Sequence, residues 1–169
     1  MNTSRLYDLQ RPYYMKARLT ATFDDSGTAP SPNPDVVKSM VEQFNGTNSN
    51  HGNWDSTNNY WLCPKTGIYK VYGHVLFEAR NNDRLHFAKT LITVNDTVTA
   101  ESQLDLLTGT AGHDDDMDTV GIGVTTILSI TQNQQVKLKY SYTHDTTTGV
   151  HIKGDSAIDK TFILIERIE

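Results

Sequence analysis

Cysteine is nearly absent: Cys63 is the only one in 169 residues. A lone cysteine excludes an intrachain disulfide framework and a multi-cysteine metal site, and reads best as a small buried hydrophobe at a strand end. Basic clusters are missing too. The net charge is −5, and no run of Lys or Arg offers the positive face that displaces counterions from nucleic acid, so nucleic acid is not an expected partner. No run approaches the roughly 20 apolar residues of a helical membrane span. Met1–Gln10 is polar and lacks the apolar stretch of an export signal. Enzyme signatures are absent as well. There is no Gly-x-Ser-x-Gly elbow, phosphate loop or dinucleotide fingerprint, and Gly121-Ile122-Gly123 has no third glycine. A non-enzymatic protein without a cofactor is therefore expected.

What is present is β texture in an amount of chain that suits one domain. Val71, Gly73, Val75 and Phe77 alternate with Lys70, Tyr72, His74 and Glu78. Val120, Ile122, Val124, Thr126, Leu128 and Ile130 form a second row, and Val136, Leu138, Tyr140 and Tyr142 a third. Period-two alternation of this kind marks half-buried antiparallel strands. Phe162–Ile165 is apolar on both faces, which predicts a central strand or a covered outer face. Only Asp35–Phe44 carries apolar residues at three- and four-residue steps, enough for one helical turn or an irregular strand. Eight to ten strands in a chain of this length imply a sandwich or barrel.

Turn-rich stretches separate the strands: Asn45–Asn59, Asn81–Asp83, the acidic Gly109–Asp118, and Thr143–Asp159 with a short strand expected at Val150–Ile152. Residues 1–10 precede the first strand as an N-terminal arm, a candidate docking segment, and residues 11–169 form the domain.

The stretch from Gln43 to Val75 carries one specific motif, Trp61-x-x-Pro64-x-x-Gly67-x-Tyr69, followed by a strand ending in His74-Val75 and preceded by an Asn/Gly-rich loop with Asn50 and Trp54. Pro64 suits a strand entry, Gly67 a sharp turn, and Trp61 and Tyr69 are large enough to fill a sandwich core from either side of it. This pattern resembles the globular heads of the complement one-q family, within the tumour-necrosis-factor-like jelly-roll superfamily. Residues 11–23, the Asn95-Asp96-Thr97 hairpin, residues 124–138 and the closing strand from Lys160 follow the family in order. The chain departs from the family at Gln132-Asn133-Gln134-Gln135, where Gly-Asp is usual, and at Ile163, where Gly is usual.

The resemblance implies an all-β, two-sheet antiparallel jelly roll assembled as a homotrimer, with Tyr72, Leu76, Ile163 and Ile165 as candidate interface residues. It implies a binding or structural role rather than catalysis. With one cysteine and no Gly-X-Y stalk, the chain is most similar to microbial and bacteriophage relatives. The expected role is a virion surface protein such as a capsid decoration (cement) trimer, contacting other virion proteins through the arm. A receptor-binding or lectin-like tail-fibre tip and an extracellular adhesion or signalling ligand are the alternatives.

Two candidate sites remain. Asp114, Asp115, Asp116 and Asp118 could supply oxygen ligands to calcium, although their spacing is not that of a calcium loop and a solvated acidic loop is the simpler reading. Trp54, Tyr60, His144 and His151 lie in or beside the two polar loops and could contact a hydroxyl-rich ligand such as a host glycan, whereas aromatic residues there could equally plug the sandwich ends. The six histidines show no metal-ligand spacing.

Overall fold

The computed structural model describes residues 14–25, 31–45, 54–79, 85–105, 119–144 and 149–169. The N-terminal arm, the 81–83 tip and the acidic loop with Asp114, Asp115, Asp116 and Asp118 lie outside them. Among the described residues there are thirteen strands and no helix: β1 (Tyr14–Leu19), β2 (Phe23–Asp25), β3 (Ser31–Val36), β4 (Met40–Asn45), β5 (Trp54–Asp55), β6 (Tyr60–Leu62), β7 (Gly67–Ala79), β8 (Leu85–Val94), β9 (Thr97–Asp105), β10 (Thr119–Ile130), β11 (Gln135–His144), β12 (Val150–Ile152) and β13 (Phe162–Arg167).

Two antiparallel sheets form. In sheet A, β10 pairs β7 along its whole length, while β13 and β12 share β7's other edge, and β1 and β4 continue beyond β13. In sheet B, β8 pairs β11 along one edge with β9 beyond it, and β6 and β3 share the other edge. Successive long strands alternate between the sheets: β7 lies in A, β8 and β9 in B, β10 in A, β11 in B and β13 in A. Repeated crossing of this kind makes a jelly-roll sandwich.

The three alternating rows face inward as their sequence pattern requires. Val71, Val75, Phe77, Ile122, Val124, Val136, Leu138, Tyr140 and Tyr142 are buried between the sheets. Thr90 donates its hydroxyl to the Ile122 carbonyl at 3.0 Å, a hydrogen bond from one sheet to the other that satisfies a fully buried polar group. Trp61 and Tyr69 meet edge to face at 5.3 Å, closing one end of the core beside buried Cys63. Burial raises the thiol pKa of Cys63.

Some local readings change. Residues 35–44 are neither helical nor one strand. They are the end of β3 and most of β4, joined at Ser39 with φ of 58°. Val37 and Met40 are both fully buried across this turn, which is what produced the three-residue apolar step. Gly67 is required by crowding rather than by turning, since a Cβ there would lie 2.4 Å from the Glu169 carbonyl oxygen. The unusual Gln132–Gln135 turn works because Asn133 takes the left-handed conformation (φ 69°) that a glycine would otherwise supply.

Candidate functional site

Pairing register places specific side chains together on the outer face of sheet A. One cross-strand row runs Gly123, His74, Phe162, Arg18, Val41. The next runs Thr125, Tyr72, Leu164, Lys16, and a third runs Ile127, Lys70, Glu166. Leu76 stands opposite Gly121, in the row beyond His74. The centre of the face is therefore aromatic and aliphatic. Phe162 contacts Tyr72 at 5.4 Å and stacks on His74 at 5.8 Å, with the Lys16 ammonium 5.3 Å from its centroid.

Sequence detail explains why these rings lie flat. A Cβ at Gly121 would approach His74 Nε2 to 2.8 Å, and one at Gly123 would approach the Tyr72 hydroxyl to 3.0 Å. Both rings lean over β10, and β10 has no side chains there to push them away. His74 is also held by its Nδ1, 2.6 Å from the Lys160 carbonyl. The 153–161 segment walls one side of the face. Asp159 pairs with Lys16 and Arg18, and Arg18 also donates to the Ser156 carbonyl at 2.5 Å. The Lys16 hydrogen bond, with Arg18 behind it, holds the Asp159 carboxyl below the usual carboxylate range.

This geometry corrects two of the four interface candidates. Ile163 and Ile165 are 0% and 1% exposed and face the core, in register with Gly73 and Val71. Tyr72 and Leu76 do lie on the outer face, half-buried. The residues beside them are Phe162 and Leu164, displaced from the candidates by one position. A strand shifted by one residue presents its other face, and a strand apolar on both faces gives no internal parity signal. β13 is nonetheless central, between β7 and β1, as its composition predicts. The glycine pair on the outward positions of β10 was the available signal for a covered face.

The ligand-loop candidates divide between the two ends of the sandwich. Trp54 and Tyr60 sit beside the start of β11, while His144 closes its far end and His151 lies at that same far end on β12. Trp54 and His144 are only 7% and 6% exposed, so they are end plugs rather than open contact residues. Tyr60 is half-buried. His151 Nδ1 lies 2.5 Å from Asp24 Oδ1, and Glu78, its other cross-strand neighbour, is bound by Lys153 at 2.6 Å. Nearby, Tyr140 donates to Asp25 at 3.0 Å and Tyr142 to the Asp25 carbonyl at 3.1 Å, which ties β2 to the sandwich end. Burial and the Asp25 carboxylate raise the Tyr140 pKa. Among the described residues no group of three His, Cys, Asp or Glu side chains is arranged to hold a metal ion. No helix among them is long and apolar enough to cross a membrane.

No protein-family model matches the chain, and no curated protein matches it. Solved structures do. A tumour necrosis factor, Eiger from S. frugiperda, aligns over 94% of both chains with a TM-score of 0.62 at 12% identity. At that identity the likeness shows the fold, a tumour-necrosis-factor-like jelly roll, and not a function. Proteins of very different roles share such scaffolds.

Proposed function

We propose that this chain is a non-enzymatic, homotrimeric surface module whose subunits meet through the outer face of sheet A. The observation that carries this reading is the composition of that face. Tyr72, Leu76, Phe162 and Leu164 form a contiguous apolar centre, and Val41 and Ile127 extend it at 45% and 62% exposure. Contiguous exposed apolar surface on a sandwich marks an interaction site. Apolar, aromatic centres with polar rims are the composition of stable interfaces.

For its setting we favour a bacteriophage virion surface, as a capsid decoration protein with residues 1–10 docking on other virion proteins. The complement one-q-like motif, the single cysteine and the polar, Asn- and Thr-rich loops support it. A second reading is an extracellular ligand of the same fold, and the Eiger neighbour supports that one. A glycan-binding fibre tip has less support, because Trp54 and His144 are buried and the four proposed contact residues are split between two ends.

Light scattering on the purified chain tests the assembly. A trimer of three 19.0 kDa subunits is expected, and a monomer at micromolar concentration would refute it. Immunoelectron microscopy of purified particles tests the setting: label at regular head positions supports decoration, and absence from particles supports the extracellular ligand.

A further inference from the structure

The outer face of sheet A holds a hollow of about 250 Å³ lined by Lys70, Tyr72, Thr125, Leu164 and Glu166. All five belong to one chain and to two adjacent outward rows: Thr125, Tyr72 and Leu164 in one, Lys70 and Glu166 in the other. A glycine shapes it. The Tyr72 hydroxyl lies over Gly123, where a Cβ would stand only 3.0 Å from it, and Gly123 pairs with His74, on the side of Tyr72 away from Lys70. The ring therefore leans away from the charged row and leaves the space between the two rows unfilled. Lys70 and Glu166 are register partners of opposite charge, an arrangement that usually closes into a stabilising cross-strand pair. Among the described residues they form no ion pair, with each other or with another group.

This lining selects for one kind of occupant. An anion would gain Lys70 and be repelled by Glu166, and a cation would meet the reverse. An apolar group would strip water from both charges without replacing it. A molecule that carries both charges complements both walls. The Tyr72 ring and the Leu164 side chain add an apolar surface, and the Tyr72 and Thr125 hydroxyls supply further hydrogen-bonding groups. The volume falls below the roughly 300–1,000 Å³ of sites for drug-sized molecules, which sets the scale at a single amino acid. We infer that this hollow binds a small zwitterion, a free α-amino acid with an aliphatic side chain. Its carboxylate lies towards Lys70, its ammonium towards Glu166 and its side chain against Tyr72 and Leu164. The site is complete within one subunit, so it does not rest on the trimer proposed above.

Equilibrium dialysis of the full chain against labelled L-leucine tests the site. One sample is native, and a second is refolded from denaturant with leucine present, so that a hollow closed off by assembly is loaded too. Saturable binding of one leucine per chain is expected, in the millimolar range or tighter, the affinity open to so small a ligand. 4-Methylpentanoate lacks the ammonium and 3-methylbutylamine lacks the carboxylate. Each should compete about tenfold more weakly or worse, the scale of a lost charge-assisted hydrogen bond. Lys70→Met and Glu166→Gln should each weaken leucine binding by a similar factor with the melting temperature unchanged, because both side chains reach the surface. No saturable binding in either sample overturns the site. Competition by either analogue as strong as that of leucine, or full binding by either variant, overturns the zwitterion. Light scattering reads the trimer separately, so each proposal can fail while the other stands.

Discussion

The two outer faces of this sandwich are built from similar strands and differ in kind. Sheet B carries salt bridges: Lys137 and Lys139 both reach Asp96 at 2.9 Å, and Lys89 reaches Glu101 at 3.2 Å. Its lysines are only 14–19% exposed, so their aliphatic stems lie along the sheet with the charges at their tips. Sheet A puts its charges at the margins, on Lys16, Arg18, Asp159, Lys70 and Glu166, and fills the middle with Tyr72, His74, Leu76, Phe162 and Leu164. Sheet B spreads its ion pairs across the strands and exposes Leu62, Val98 and Leu104 singly, whereas sheet A gathers its aromatic and aliphatic side chains into one central cluster. That difference, more than the fold, points to self-assembly, because the fold alone is shared by proteins with unrelated roles.

The largest effect should come from placing a charge in the middle of sheet A. If the chain is the proposed trimer, Phe162→Asp is expected to make it a monomer at micromolar concentration. Removal of a central interface aromatic costs about 2 kcal/mol or more, roughly 30-fold in the dissociation constant. Lys139→Glu, on sheet B, should leave the assembled mass unchanged. Light scattering on the two variants side by side breaks the comparison if the sheet B change is the one that dissociates the protein.

The glycines of β10 give a smaller effect. Gly121→Ala would press on a His74 ring whose other nitrogen is already engaged by the Lys160 carbonyl. Forcing such a ring out of place costs about 1–2 kcal/mol, within the usual range for overpacking. A fall in melting temperature of a few degrees is expected. A rise would mean that the ring moves freely and that the flat face does not depend on the glycine.

Sequence made one of these faces easier to read than the other. Strands with one buried side declare it by alternation, and β7, β10 and β11 all point as their patterns require. β13 is apolar throughout, so nothing in Phe162–Ile165 distinguishes inside from outside; pairing with Val71 and Gly73 does. Trp54 and His144 read as loop residues because polar sequence surrounds them, yet each ends a strand and is drawn into the sandwich end. The Trp61–Tyr69 motif was legible because its spacing is set locally: a proline-bearing bend between two strands that brings two large rings together. The β3–β4 turn was not, because Ser39 takes a positive φ without the Gly or Asn that usually announces one.

Acid should separate the two faces by the smallest margin. Asp159 beside sheet A and Asp96 on sheet B both have depressed pKa values, the first mainly through Lys16 and the second mainly through Lys137 and then Lys139. A carboxylate whose folded pKa lies below its unfolded value of about 3.9 contributes stability that is fully present above that value. The contribution is lost as pH falls through the folded value. Unfolding free energy should therefore be insensitive to either pair near neutrality and should drop below about pH 4. Asp159→Asn and Asp96→Asn should each lower stability at pH 7 by about 1 kcal/mol or less, the scale of surface ion pairs, and should flatten the acid limb. If assembly shields the margin of sheet A, the Asp159 pair is less open to salt than the Asp96 pair. Added salt should then erase the Asp96→Asn difference first, as measured by denaturant unfolding at low and high ionic strength. Equal salt sensitivity in the assembled protein would mean that the Asp159 margin stays in water, and would confine the interface to the aromatic centre of the face.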